Sequence, residues 1–308
     1  MKNASLAHPD APADYAAARA HLGHRFRTPG ILAVEGPDRE AFLQGQLTQD
    51  ARGLADGQSR PMAGLTPKGK LLYFGWLAAQ AERFVLLVAA ADRAAVVAHL
   101  RKYAVFQKVS VTDASDEFLL LGLYGPAAGN LAWPPSAIAL PADGELAAGL
   151  LAPAADRAAL EDLLERARST AVSSDSAEIL RVEAGRPRFG ADADENNLPD
   201  EIGLQSAIST TKGCYVGQEI VARLRTYGRV NRRLVGFRFP EEPVPAGTVF
   251  PDPGKENLEL GRVTSAVASP RFGPIGLGFA FRDVAEGGTL RASADPGRCA
   301  VVASLPFA

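Results

Sequence analysis

Cysteine and histidine are both scarce in this sequence, and their scarcity limits the metal and disulfide chemistry that the chain can support. The 308 residues include two cysteines, Cys214 and Cys299, and four histidines. Two cysteines so far apart make neither a disulfide framework nor a zinc pattern, and the histidines lack ligand spacing. We therefore expect no metal site built from protein ligands alone.

An excess of charge of either sign is also absent. The formal net charge is -2 at pH 7, while 22% of the residues are charged and 47% are hydrophobic. This composition is typical of a folded globular chain rather than a disordered one. A near-neutral chain is not typical of a dedicated binder of nucleic acid or of anionic membranes. The composition thus disfavours nucleic acid and membrane as partners.

The sequence further lacks a long apolar helix, a signal peptide and a nucleotide-phosphate loop. Its longest uncharged stretch, residues 118–142, contains four prolines and three glycines, so no helix crosses a bilayer there. The first fifteen residues have no apolar core of the kind that directs secretion. Neither GxxxxGK[ST] nor GxGxxG occurs. We therefore expect a cytoplasmic protein that does not hydrolyse nucleotides.

What is present is a pattern of helices mixed with strands up to about residue 228, followed by strands alone. Apolar spacing predicts helices at 14–22, 92–103 and 157–168 and two that begin near residues 38 and 218, while 177–184 fits either a helix or a strand. Short apolar runs predict strands at 30–36, 84–88 and 118–124, a hairpin around residues 67–69, and an irregular connection over 130–156. The fold class is therefore α+β, with an α+β region at residues 1–228 and a small β-barrel domain at 229–308.

The most unusual stretch is Lys212-Gly-Cys-Tyr-Val-Gly-Gln-Glu219, which places a lysine, a thiol and two glycines just before a predicted helix. A helix that begins at Gln218 has its positive dipole end near Cys214, and together with Lys212 it would favour a reactive thiolate. A lone cysteine beside tyrosine and valine is, however, usually a small buried hydrophobe. Both interpretations stay open at this point.

An acidic segment precedes this motif, with five carboxylates between residues 192 and 201. Such runs are usually solvated loops. Glu201 differs because it lies between Pro199 and the apolar Ile202, where a carboxylate held against a packed wall needs a partner. A fixed carboxylate suits ligands with paired N-H donors, such as an amino-pyrimidinone edge.

An arginine stripe follows the motif, with no acidic residue between Glu219 and Glu241. Its members can bind carboxylates or phosphates through two parallel hydrogen bonds, or they can simply face water. The stripe consists of Arg223, Arg225, Arg229, Arg232, Arg233 and Arg238.

These segments together resemble the YgfZ-type folate-binding proteins, relatives of the glycine-cleavage aminomethyltransferase (T-protein) that include mitochondrial factors of iron-sulfur protein assembly. The resemblance rests on the 212–219 motif with the Ile-Val-Ala-Arg223 that follows it, and on the segment Leu198-Pro-Asp-Glu-Ile-Gly-Leu204. Residues 42–50 and 65–70 are similar to the N-terminal landmarks of the family. The similarity extends from about residue 25 to the end of the chain.

The resemblance implies two interleaved, ferredoxin-like α+β subdomains and a C-terminal β-barrel, arranged as a ring around a central channel for tetrahydrofolate. It implies that Glu201 contacts the pterin edge and that residues of the motif border the channel, with Cys214 as the candidate catalytic residue. The implied cofactor-binding set is Glu201, Lys212, Cys214, Tyr215, Gln218 and Arg223.

One position departs from the aminomethyltransferases. Their Asp-Asp pair, one member of which serves the folate amine, corresponds here to Tyr73 and Phe74, and neither aromatic ring can stabilise positive charge on nitrogen. The leading hypothesis is therefore a tetrahydrofolate-binding accessory factor in the synthesis or repair of iron-sulfur proteins, with folate and iron-sulfur client or assembly proteins as partners. The alternatives are a folate-dependent one-carbon transferase that uses Cys214, and a tRNA- or protein-binding scaffold that uses the arginine stripe.

Overall fold

The computed structural model describes residues 11–255, 258–292 and 298–308. Within them the α-helices are α1 Ala13–Ala20, α2 Arg39–Gln46, α3 Arg93–Tyr103, α4 Arg157–Arg166, α5 Ser174–Glu183 and α6 Gln218–Tyr227. The strands of the first part of the chain are β1 Gly23–Arg27, β2 Gly30–Glu35, β3 Ser59–Leu65, β4 Leu71–Gln80, β5 Arg83–Val88, β6 Ser110–Asp113, β7 Phe118–Tyr124, β8 Ile138–Leu140, β9 Ala148–Pro153 and β10 Thr170–Ala171. The later strands are β11 Arg232–Arg238, β12 Val249–Pro251, β13 Glu259–Ser269, β14 Gly273–Phe281, β15 Thr289–Arg291 and β16 Cys299–Ala303.

Two five-stranded sheets make up the first part of the chain and pack face to face. The first has the order β10-β1-β7-β9-β8 and the second the order β3-β4-β5-β2-β6. Because β2 to β6 lie between β1 and β7 in the chain but form their own sheet, the two subdomains are interleaved as predicted. Alternate residues of β2 face opposite sides: Ile31 packs toward the first sheet, whereas Leu32 packs toward the helices.

Helices cover the outer face of each sheet. Leu160 and Leu164 of α4 pack against leucines of β7, and α2 and α3 cover the second sheet. Full burial of each such leucine contributes about 1.5–3 kcal/mol to folding. The four layers therefore run helix, sheet, sheet, helix, and both sheets are buried on their inner faces.

The third sheet has the order β12-β13-β14-β11-β16-β15, and every neighbouring pair in it is antiparallel. Its edge strands β12 and β15 also contact each other, so the sheet is nearly closed into a barrel around an apolar interior that includes Phe237 and Phe250. The helix α5 packs on its outside, where Val182 meets Ile275 and Leu277. The α+β class and the C-terminal barrel are thereby confirmed.

The prediction of an irregular connection over residues 130–156 is wrong in part. The short strands β8 and β9 lie in that segment and pair antiparallel, and β9 also pairs with β7. The alanine, glycine and proline of β9 carry little strand propensity, so pairing with the edge of β7 orders β9, and β8 then pairs with β9. The strand β1 was likewise not predicted. The domain boundary at residues 228 and 229 stays a prediction, although the barrel sheet begins close to it, at Arg232.

No helix in the described ranges is long and apolar enough to cross a membrane. We expect no secretion signal in the first fifteen residues. Residues 1–10 of that segment lie outside the described part of the chain, so this expectation stays a prediction. The cytoplasmic location stays a prediction.

Candidate functional site

Two glycines bring the predicted hairpin and the 212–219 motif together. Gly217, just before α6, has a φ of +83°, and a Cβ there would lie 2.6 Å from the carbonyl oxygen of Thr66. In the hairpin turn Gly69 has a φ of +71°, and a Cβ there would lie 2.9 Å from Ile220. Only glycine accepts both the left-handed backbone and such close contact. The start of α6 is thus seated directly on the turn between β3 and β4.

Lys212 is buried, with 7% of its surface exposed, and it fastens the motif to the end of α2. Its Nζ donates to the carbonyl oxygens of Gln44 at 2.8 Å, Leu47 at 2.6 Å and Gln49 at 2.8 Å. Each of the three ammonium protons therefore has a carbonyl acceptor in the last turn of α2 or in the segment just after it. Burial lowers the pKa of Lys212 to about 8. Its predicted role toward a folate stays a prediction.

Cys214 and Tyr215, adjacent in the motif, have opposite environments. The thiol of Cys214 is exposed, so the interpretation of this cysteine as a buried hydrophobe is wrong. Tyr215 is buried, and burial raises the pKa of its hydroxyl. Cys299, by contrast, is half-buried in β16 of the barrel.

Glu201 is the buried carboxylate that the sequence singled out, with 6% of its surface exposed. It lies within a single 3-10 turn, Pro199–Ile202, and its Oε2 accepts three hydrogen bonds. The donors are Asn197 Nδ2 at 2.9 Å, the backbone N-H of Leu198 at 3.2 Å and Arg232 Nε at 3.3 Å. In the described part of the chain no donor reaches Oε1. One oxygen therefore holds the local structure, and the other has no donor among the described residues.

An apolar cluster with several aromatic rings, here called the central cluster, lies beside this carboxylate. Phe74 of β4 packs edge-to-face on Phe189, with ring centroids 5.8 Å apart, and Phe279 of β14 belongs to the same cluster. The guanidinium of Arg232 lies 4.9 Å from the centre of the Phe279 ring and so links the cluster to Glu201. The second sheet and the barrel both contribute to this wall.

Tyr73 and Phe74 point to opposite faces of β4. Tyr73 lies in the core beneath α2 and α3, where its hydroxyl has no hydrogen-bond partner in the described part of the chain and burial raises its pKa. Phe74 is the one of the two that joins the central cluster. Of the two aromatic residues, Phe74 therefore lines the central cluster, and Tyr73 belongs to the core.

The remaining predicted residues lie on α6. Gln218 is its half-buried first residue, and Arg223 is exposed on the helix. Of the arginine stripe, Arg232 is the member that contacts Glu201, while Arg225 pairs with Asp200 at 3.3 Å. Sequence reasoning missed the pairing of Arg232 and the roles of Asn197 and Phe279. Arg232 belongs to the arginine stripe and Asn197 lies within the acidic segment, so both were in segments that the sequence singled out. Phe279 has no distinguishing sequence feature apart from its position in an apolar strand.

Among the described residues, no group of three or more histidine, cysteine, aspartate or glutamate side chains is arranged to hold a metal ion. The cofactor question therefore rests on Glu201 and the central cluster.

A search of protein-family models found none that matches the chain. The chain is 32% identical over 259 residues to the tRNA-modifying protein YgfZ of Edwardsiella ictaluri, which covers 74% of this chain and 72% of that protein. It is 33% identical over 221 residues to the tRNA-modifying protein YgfZ of Enterobacter sp.. That match covers 66% of this chain and 68% of the relative. The structure of the glycine cleavage system aminomethyltransferase T from Bartonella henselae matches with a TM-score of 0.82 and 27% identity, over 96% of this chain and 88% of that one.

Proposed function

Because the chain belongs to the YgfZ family of aminomethyltransferase-like proteins, we propose that it binds tetrahydrofolate beside Glu201 and acts as an accessory factor for iron-sulfur proteins. The family relationship supports the coarser statement, a folate-related role in tRNA modification or in iron-sulfur protein metabolism. The finer statement depends on how well the residues at Glu201 suit the cofactor.

The observation that carries the proposal is the Glu201 carboxylate, which has one oxygen fixed by three donors and the other without a donor in the described residues. The amino-pyrimidinone edge of a pterin presents adjacent N-H donors, and a carboxylate already held in place pairs with them at little entropic cost. The flat ring suits a wall that includes Phe74 and Phe279. The N-H edge of the pterin thus has a counterpart in Glu201, and its flat ring has one in the central cluster.

This placement of the pterin predicts that Glu201→Gln weakens tetrahydrofolate binding by about 10- to 100-fold, since a hydrogen bond to a charged group contributes about 1.5–3 kcal/mol. Isothermal titration calorimetry measures the change. The matched control is Glu195→Gln, an exposed carboxylate of the same segment, which should bind as the wild type does. Urea unfolding of each variant establishes that the fold is retained. Equal affinity of a folded Glu201→Gln variant and the wild type contradicts the placement.

The alternative, a one-carbon transferase, is disfavoured by Phe74. When bound, tetrahydrofolate supplies a nitrogen that carries one-carbon units, and transfer develops positive charge there. In this chain a phenyl ring rather than a carboxylate lies on that face of β4, so nothing at this position stabilises the charge. We expect no aminomethyl transfer when the purified protein is combined with the other glycine-cleavage proteins. Sustained release of ammonia from the aminomethyl donor in that assay would establish the transferase instead.

The iron-sulfur part of the proposal assigns a role to Cys214. An exposed thiol can donate one ligand to a cluster in transit, whereas a resident cluster needs about four ligands. The test compares iron-sulfur enzyme activities in cells that carry wild type, Cys214→Ser or Cys299→Ser at equal protein level. Loss of activity confined to Cys214→Ser supports this role, and unchanged activity in that strain rules it out.

A further inference from the structure

The exposed large apolar side chains of this protein are concentrated in one segment, residues 103–109, which joins α3 to β6 and is here called the Phe106 loop. Phe106 is 99% exposed, Val105 70% and Tyr103 40%, and no other large apolar side chain in the described ranges is exposed. Single apolar residues are common on protein surfaces, but a concentration of this kind marks an interaction surface. The loop therefore presents an apolar tip that nothing in the described chain covers.

Hydrogen bonds hold the loop in one conformation. The backbone N-H of Gln107 donates to the carbonyl oxygen of Ala104 at 3.0 Å, and the backbone N-H of Lys108 donates to Asp38 Oδ2 at 2.8 Å. The loop also packs directly on the chain before α2, where a Cβ at Gly36 would collide with the carbonyl oxygen of Lys108. None of these contacts involves the phenyl ring at the tip. A ring on an already ordered loop loses little conformational entropy when a partner binds it.

The charge around the apolar tip is positive. Between Asp92 and Asp113 the chain has no acidic side chain and four cationic ones, Arg93, Arg101, Lys102 and Lys108. Arg93 pairs with Asp113 at 3.1 Å, whereas Lys102 and Lys108 are exposed and have no ion pair in the described part of the chain. The surface complementary to this loop is therefore an apolar pocket with carboxylates at its rim.

The Phe106 loop and the exposed thiol of Cys214 are attached to opposite ends of the same helix, α2. Asp38 holds the loop just before the helix begins, and Lys212 Nζ donates to the carbonyl oxygen of Leu47 just after it ends. Eight residues at a rise of 1.5 Å make α2 about 12 Å long. An interface of ordinary size, about 800 Å² on each partner, is wide enough to cover both ends. One partner docked on the loop can thus also reach Cys214.

We infer that the Phe106 loop is the docking surface for the iron-sulfur client protein, which receives the phenyl ring in an apolar pocket rimmed by carboxylates. The inference rests on the proposed function and adds the surface by which the partner is held. A single ordered loop makes a contact of small area, which suits an accessory factor that must release its client. Val105 beside the ring offers no flat face on which a base could stack, so a protein pocket fits the tip better than RNA does.

The first test measures iron-sulfur enzyme activities in cells that carry Phe106→Ser, the double variant Lys102→Glu/Lys108→Glu, or Cys214→Ser at equal protein level. Both loop variants should lower the activities toward the level of the Cys214→Ser strain, because the first removes the apolar anchor and the second repels the carboxylate rim. Because the altered side chains are exposed, urea unfolding and tetrahydrofolate affinity of the loop variants should match wild type.

The matched control is Arg166→Glu/Lys255→Glu, which reverses two exposed cations outside the loop and should keep wild-type activities. The second test replaces Phe106 with the photo-reactive p-benzoylphenylalanine and identifies the adducts formed in cells by mass spectrometry. We expect adducts with proteins that carry an iron-sulfur cluster, and a roughly tenfold lower yield when Lys102→Glu/Lys108→Glu is added. Adducts confined to proteins without a cluster contradict the inference.

The remaining outcomes separate this inference from the proposed function. If Cys214→Ser loses the activities and both loop variants keep them, the docking surface is wrong although the iron-sulfur role stands. If all three variants keep them, the iron-sulfur role fails and the inference with it. A third arm examines the purified protein by sedimentation velocity alone, with a 20-nucleotide single-stranded RNA and with phosphatidylglycerol vesicles. A dimer, an RNA complex or vesicle binding that Phe106→Ser abolishes assigns the loop to that occupant and overturns the inference.

Discussion

At the scale of single residues, the 212–219 motif combines a structural task with an exposed thiol. Lys212 donates its three protons to carbonyl oxygens of the α2 end, which holds the loop in place. Cys214, two residues later, is exposed. The lysine therefore positions the loop, and the cysteine is the residue of the pair that is open to reagents and partners.

The exposure of Cys214 predicts its labelling behaviour. Under limited iodoacetamide treatment at neutral pH, Cys214 should be alkylated faster than Cys299, because the latter is half-buried in a paired strand. Tetrahydrofolate should slow the labelling of Cys214 and leave Cys299 unaffected, since we expect the motif to border the folate. Peptide mass spectrometry over a time course measures both rates.

Faster modification of Cys299, or no protection of Cys214 by folate, would remove the motif cysteine from the folate site. Protection of both cysteines equally would indicate a global change in stability rather than contact with the ligand.

At the scale of elements, the N-terminal helix α1 is attached to α5 through one carboxylate. Asp14 accepts hydrogen bonds from the backbone N-H of Ser173 at 2.8 Å and from Ser176 Oγ at 2.9 Å, and Ser173 caps α5. Burial alone would raise the pKa of Asp14, but these hydrogen bonds and that of the Tyr15 N-H outweigh it and lower the pKa to about 2. The two helices are thus joined by hydrogen bonds to Asp14, and these hydrogen bonds favour its ionised form.

From these hydrogen bonds of Asp14 we predict a contribution to the free energy of unfolding that is lost in acid. The folded-state pKa of about 2 lies below the ordinary 3.8, so the stabilisation is present above pH 3.8 and is lost as the pH falls toward 2. Asp14→Asn should lower the free energy of unfolding at pH 6 and remove this part of the acid dependence. Urea unfolding at pH 6, 4 and 3 measures both effects. The control Asp162→Asn, exposed on α4, should match wild type at each pH, and a pH profile of Asp14→Asn parallel to that of wild type would contradict the assignment.

At the scale of the whole molecule, a buried network around the Arg181–Asp192 ion pair joins the α+β region to two hydroxyls of the barrel. Arg181 of α5 is 4% exposed, and its guanidinium bonds to Asp192 Oδ2 at 2.7 Å and to Ser265 Oγ of β13 at 2.8 Å. The Asp192 carboxylate, which is 0% exposed, also accepts from Thr264 and Ser265. This network positions the segment that leads to Glu201.

Removal of one partner from a buried pair leaves an uncompensated charge, so Arg181→Met should lower the free energy of unfolding by about 3–5 kcal/mol. The matched control is Arg262→Met on the same strand β13, where the exposed pair with Glu259 should contribute less than about 1 kcal/mol. Chemical denaturation of both variants provides the comparison. Similar small losses in the two variants would show that the Arg181 network contributes little to stability.

The sequence alone determined the α+β class, the position of the barrel and most of the helices, because these depend on local hydrophobic periodicity. It also determined that residues 213–217 form a loop before a helix that begins at Gln218, whereas the left-handed backbone of Gly217 and its contact with the 66–69 turn came from the structure. Glu201 was singled out from its apolar neighbours, and the structure places it in a buried setting.

Only the tertiary structure decided which side chains meet. Lys212 binds backbone carbonyls, which have no sequence signature, and Glu201 pairs with an arginine 31 positions away. The choice between Tyr73 and Phe74 depends on the face that β4 presents to the barrel, and a one-residue shift in register would reverse it. The strand β9 forms on the edge that β7 offers, and β8 in turn pairs with β9. Local pattern sets the elements, but contacts between distant segments are set by packing and so cannot be read from neighbours in the chain.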